Sequence, residues 1–183
     1  EDMFYEDQIK KLLDVCPKIK ELSFLPQNEL VTKLQQYFSS CGIAFVIAPS
    51  LKKVPVQGFI KTSQEGKTII ALTFRQCRSD IFWFTLFHEI GHFINGDSKQ
   101  KFIDFESAEN VKETKANLFA ENTLIEKNAY CNFVNAQNFS LSAIKAFAKT
   151  QNILPTIVIG RLQNDSFLKW SDFTDEIVKY EKM

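Results

Sequence analysis

The stretch Asp80-Ile81-Phe82-Trp83-Phe84-Thr85-Leu86-Phe87-His88-Glu89-Ile90-Gly91-His92 decides how this chain is read. Apolar side chains occupy most of its positions and continue through Phe93 and Ile94 to Asn95-Gly96, a natural stop. That pattern predicts a helix buried on nearly every side, at the centre of the core, with Asp80 as its acidic N-cap and Asn95-Gly96 as its C-cap. The chain's 2 histidines both lie on this helix, four positions apart, with Glu89 directly after the first. Chance produces such an HExxH in a chain of this composition in roughly one case in 1,300.

The spacing has a chemical consequence. Four residues advance about 400° around a helix, so the imidazoles of His88 and His92 stand about 40° apart and one turn up the axis. Both can then reach one Zn²⁺ at ~2.0–2.1 Å. Glu89 lies about 100° from His88, beside the metal, where its carboxylate can take a proton from a water that zinc acidifies. Were these residues ordinary core, two imidazoles and a carboxylate would be buried on an apolar helix with nothing to satisfy them.

A catalytic zinc takes three protein ligands and keeps one position open. The extended metzincin pattern needs a Gly and then a third His after the motif, and those places hold Asn95 and Ser98, which excludes that class. With no further His, a carboxylate from a neighbouring helix is expected, and Asp97, Asp104, Glu106, Glu109, Glu113 and Glu121 are the candidates downstream. Glu113 is favoured, because Ala116, Asn117 and Ala120 follow it on the next expected helix and are small or polar enough for close approach to the metal. Tyr130, Arg75, Arg78 and Arg161 could donate to an oxyanion, but each reads first as a structural residue. Phe82, Trp83, Phe84 and Phe87 read as core rather than as a substrate pocket.

Around this helix the chain reads as one α+β domain, residues 1–183. A helical lead-in (1–42) carries Ile9, Leu12, Leu13 and Cys16 ahead of Pro17, then Leu30, Leu34, Tyr37 and Phe38 after Pro26. A sheet region (43–74) follows: Ile43 to Ala48 as a buried strand, and Val56 to Thr62 with Lys67 to Phe74 as a hairpin around Ser63-Gln64-Glu65-Gly66. The sheet is therefore expected to be small, partly antiparallel and packed among helices. The Lys67–Phe74 strand, just before the motif helix, is expected to be the sheet edge that faces the metal and accepts an extended substrate. In the helical part (80–183), Asp97 to Asn110 reads as loop and Val111 to Leu124 as helix. Ser140 and Pro155 start two more helices, and a last one begins near Ser171-Asp172.

Composition bounds the rest. Of 183 residues, 45% are hydrophobic and 18 are Phe, which excludes disorder. The 22 basic and 22 acidic side chains cancel, so the chain lacks the basic excess with which a protein holds nucleic acid or anionic lipid. Cys16, Cys41, Cys77 and Cys131 are widely spaced with no CxxC, as expected of reduced, mostly buried thiols in a cytoplasmic protein. The opening residue Glu1, in place of Met, suggests a piece of something longer.

Three motifs in order carry a resemblance to a known family: the Asp80–His92 stretch, then Glu113-Thr114-Lys115-Ala116-Asn117-Leu118-Phe119-Ala120, then Ile153-Leu154-Pro155-Thr156-Ile157-Val158-Ile159-Gly160-Arg161-Leu162-Gln163. Over about 43–163 the chain resembles the ImmA/IrrE family of metallopeptidases, above all the branch that follows an Xre-type helix-turn-helix in HigA-like antidote regulators. The resemblance implies a gluzincin-like architecture similar to thermolysin, with His88, His92 and Glu113 on zinc and Glu89 as catalytic acid/base. Lys115, Glu126 and Thr156 depart from the family's usual acidic residue, Pro and Gly. The function expected is a zinc-dependent endopeptidase that cuts a regulatory protein such as a transcriptional repressor. The alternative is a zinc-binding sensor or interaction module of a transcriptional regulator or antitoxin, without essential proteolysis. The partner expected is a protein substrate, with no nucleic acid bound by this chain alone, and DNA reached only through a missing helix-turn-helix.

Overall fold

The computed structural model describes residues 2–49, 57–97 and 106–182, with side chains described from residue 4 and, after the second gap, from residue 111. Helix α1 spans Asp2–Glu21 and α2 spans Gln27–Ser40. Pro17 lies inside α1 rather than beyond its end, and Leu13, expected on the apolar stripe, is exposed. The helix survives a substitution that removes a backbone bond, at about 3 kcal/mol, because its buried stripe of Leu12, Cys16 and Ile19 continues past the proline.

Strands β1 (Ile43–Ile47), β2 (Gly58–Thr62) and β3 (Thr68–Leu72) form one sheet in the order β1-β3-β2, parallel between β1 and β3 and antiparallel between β2 and β3. Gly66, at φ +76°, turns the expected hairpin. The strand expected at the edge is not there: β3 is bonded on both sides and is the centre of the sheet, and among the described residues β1 and β2 are its edges. Ile70, Ala71 and Leu72 are all buried, the continuous apolar run that suits a central strand. β1, expected to be fully buried, instead alternates, with Ala44 and Val46 facing out. In the β2–β3 ladder, Ser63 N–H donates to Lys67 O and Thr73 N–H to Gln57 O. Antiparallel bonding alternates by residue, so Ile60, at an intervening position opposite Ile70, turns its N–H away from β3 toward the open edge.

Helix α3, Ser79–Ile94, carries the motif. Trp83, Leu86, Phe87, Ile90 and Phe93 are wholly buried, and Asn95 with Gly96 (φ +82°) ends the helix as expected. Arg78, not Asp80, is the N-cap, and Asp80 sits in the first turn. There the Arg78 guanidinium forks onto it, Nε to Oδ1 at 3.0 Å and Nη2 to Oδ2 at 2.9 Å. The ion pair leaves Asp80 unneeded as a cap.

After α3 come α4 (Glu106–Leu124), α5 (Lys127–Asn135), α6 (Leu141–Thr150) and α7 (Pro155–Asn164), of which α4 and α7 pack against α3. α4 starts at Glu106, earlier than the loop expected to Asn110, since nothing in Glu106-Ser107-Ala108-Glu109 breaks a helix. α5 was not anticipated. Glu126, one of the departures from the family pattern, caps it by accepting from the N–H groups of Asn128 and Ala129 at 2.8 and 2.6 Å. Ser140 and Pro155 start α6 and α7 as expected. Thr156, a second departure, is buried and accepts from the Ser79 hydroxyl at 3.2 Å.

No helix begins at Ser171-Asp172; only a short 3₁₀ turn forms, Thr174–Glu176. The tail instead runs beside the start of α3, with Ser79 N–H donating to Val178 O at 3.0 Å and Tyr180 N–H to Cys77 O at 2.7 Å. All four cysteines are free, Cys16 and Cys41 buried, Cys77 half-buried and Cys131 exposed. Among the described residues no helix is long and apolar enough to cross a membrane. The class is α+β, with a three-stranded mixed sheet.

The α3–α7 contact is close enough to test. A Cβ at Gly160 would lie 2.3 Å from Asp80 Oδ2 and 2.6 Å from its Cβ. Gly160→Ala is therefore expected to destabilise by about 1–3 kcal/mol, measurable in urea melts, because the buried Asp80, held by Arg78, must move to admit a methyl.

Candidate metal centre

α3 and α4 pack closely because Gly91 faces Ala116: a Cβ on Gly91 would stand 2.9 Å from Ala116 Cα and 3.1 Å from its carbonyl oxygen. This near-contact of backbones brings Glu113, one turn before Ala116 on α4, over the two histidines of α3. His88 Nε2 lies 3.3 Å from Glu113 Oε2, and His92 Nε2 lies 3.1 Å from Oε1. The two Nε2 atoms are 2.9 Å apart. One ligand atom from each of the three residues falls within 4.8 Å of the others, and among the described residues this is the one group of its kind.

The far nitrogens of both rings are engaged. His88 Nδ1 is 2.8 Å from Asn117 Oδ1, one turn past Glu113 on the same face of α4. His92 Nδ1 is 3.1 Å from Asp97 Oδ2, in the turn that follows Gly96. Both partners present an oxygen to the ring, which suits an Nδ1–H donor and leaves each Nε2 facing the cluster. Burial, and after it the neighbouring His92, hold the His88 imidazole below its usual pKa, in the neutral form. The two Nε2 atoms and the Glu113 carboxylate converge within 4.8 Å of one another, so that one cation could take a lone pair from each. Two imidazole nitrogens and one carboxylate are the donor set of zinc hydrolases, so the residues fit zinc.

Glu89 lies beside this group without belonging to it. Its side chain is buried, and that burial pushes its carboxyl up to about 7; Glu113 adds to the rise, while His92 and the N–H of Ile60 oppose it. Ile60 is the residue whose N–H leaves the sheet at the open edge of β2. Thus the carboxylate lies between the histidine pair and a sheet edge, and that edge belongs to β2.

Of the six carboxylates weighed as third ligand, Glu113 is the one brought to both histidines. Asp97 meets only the back of His92, and Glu121 is taken by Arg161 at 3.0 Å. Asp104 and the side chains of Glu106 and Glu109 lie outside the described residues. Three of the four oxyanion donors weighed are engaged elsewhere: Arg78 on Asp80 and Gln163, Arg161 on Glu121 and Asp165, and the Tyr130 hydroxyl on Asp165 at 2.7 Å. Phe82, Trp83 and Phe87 are core, but Phe84 is only half-buried, its ring centroid 6.1 Å from that of His88. The contact from Ile60 escaped sequence reasoning altogether, since a backbone N–H has no residue-type signature. No family model matches the chain, and neither does any curated protein.

Proposed function

We propose that this domain is a zinc-dependent endopeptidase of gluzincin-like arrangement, related to the ImmA/IrrE metallopeptidases, that hydrolyses a peptide bond in a regulatory protein such as a transcriptional repressor. One observation carries the reading: the ligand atoms of His88, His92 and Glu113 converge within 4.8 Å while the buried carboxyl of Glu89 stands beside them without joining them. Zinc held by those three residues would supply Lewis acidity toward a peptide carbonyl and toward water. Glu89 serves as the base that takes the proton of the attacking water and, as an acid, returns it to the departing amine. A carboxyl poised near neutrality can do both. Asn117 holds the His88 ring in the ligating tautomer. The open edge of β2, beside Glu89, is where an extended substrate would add as a strand.

The engagement of Tyr130, Arg78 and Arg161 in other pairs favours a second reading, a zinc-dependent interaction module of a regulator that does not depend on proteolysis. The two are separated by asking whether zinc-loaded protein cleaves a panel of repressor-type proteins, and whether Glu89→Gln stops it while zinc stays bound. For nucleic acid, a gel shift with this chain alone at physiological salt is expected to show no sequence preference, because 22 basic and 22 acidic groups leave no net positive field.

A further inference from the structure

We propose that Asp97 is a positioning residue of the metal centre, setting zinc affinity through His92 without touching the metal. Its carboxylate is one of the better-buried acidic groups of the site, with 12% of the side chain exposed, and its two oxygens face different helices. Oδ2 lies 3.1 Å from His92 Nδ1, on the side of the ring away from the ligand cluster. Oδ1 lies 3.8 Å from Lys112 Nζ, and Lys112 immediately precedes Glu113 on α4. One carboxylate therefore connects the last turn of α3, which carries a ligand, with the residue next to the ligand on α4. Gly96, at φ +82°, is the backbone turn that returns Asp97 to the helix it has just left.

The two histidines are held differently. His88 is oriented by a neutral amide from Asn117, whereas His92 is oriented by a carboxylate. A carboxylate behind an imidazole fixes the tautomer and strengthens the nitrogen on the other side as a donor, and loss of such a partner typically lowers metal affinity 10–100-fold. The Lys112 contact is longer and more exposed, so it contributes less.

This assignment rests on zinc being the occupant of the centre. The test is the zinc dissociation constant by competition with a chromophoric chelator, together with the visible spectrum of the cobalt-loaded protein. Asp97→Ala is expected to weaken zinc binding by about 10–100-fold while keeping one metal per chain and the cobalt band of the wild type. Asp97→Asn keeps an oxygen for Nδ1–H and is expected to recover most of the loss, and Lys112→Met to lose less than Asp97→Ala. Zinc bound as tightly by Asp97→Ala as by the wild type, even with a lower apo melting temperature, overturns the positioning role and leaves the peptidase reading standing. A cobalt spectrum changed as in His92→Ala makes Asp97 a ligand and overturns it as well. A wild type that binds no zinc removes both.

Discussion

Glu89→Gln is expected to retain its zinc and its melting temperature while peptide hydrolysis falls by about 10²-fold to 10⁴-fold. Glutamine is nearly isosteric, keeps an oxygen to accept from the Ile60 N–H, and is not one of the three converging ligands. What it loses is the ability to hold a proton that the attacking water must give up. Steady-state cleavage with metal analysis on the same sample measures both halves of the expectation. In the cell, a peptidase should fail to regulate as Glu89→Gln just as it fails as His92→Ala, since each stops the chemistry. A docking or sensing module should instead tolerate Glu89→Gln and fail only when the metal is lost. Normal regulation in Glu89→Gln cells would remove proteolysis from the biological explanation, even with some hydrolysis in a tube.

Removing the metal should have the second large effect. A ligand bound only by the folded chain stabilises it by RT ln(1 + [L]/Kd), about 4 kcal/mol at a thousandfold excess over Kd. For a chain of this size that corresponds to roughly 8–16 °C in Tm, the shift expected on adding a strong chelator. Glu113→Ala should abolish the zinc-dependent part of that shift, and Asp97→Ala should only reduce it. Gly91→Ala offers a route that touches no ligand. Its added methyl meets Ala116 Cα at 2.9 Å, so α4 must move outward and carry Glu113 with it. Weaker zinc binding is expected in that variant, and undiminished zinc binding would show that Glu113 does not need the close helix contact.

The candidate centre was legible in the sequence to an unusual degree because its parts are local. His88, Glu89 and His92 share one helix, and a helix has one geometry, so their spacing alone settles which side chains point together. Small residues around Glu113 likewise signalled the close approach that Gly91 and Ala116 make. Helix starts were legible where a side chain or a proline acts at the first turn, as at Ser140 and Pro155. Pro17 misled because a helix stop is a local rule and the buried stripe of α1 overrules it. The C-terminal tail misled for the converse reason: its Ser171-Asp172 start signal is sound, but the backbone groups beyond it are used by Ser79 and Cys77.

By itself, then, the sequence determined the α+β class, the burial of α3 and the identity of the residues that can meet a metal, because periodicity and capping act within a few residues of the chain. Only the tertiary structure decided which strand lies at the edge, since strand order depends on partners far apart in sequence and every apolar strand looks alike in one dimension. It also decided what stands behind each histidine. Asn117 and Asp97 differ from the other polar residues of the chain in nothing but position, and position is set by how closely α3 and α4 pack at Gly91 and by how Gly96 turns the backbone.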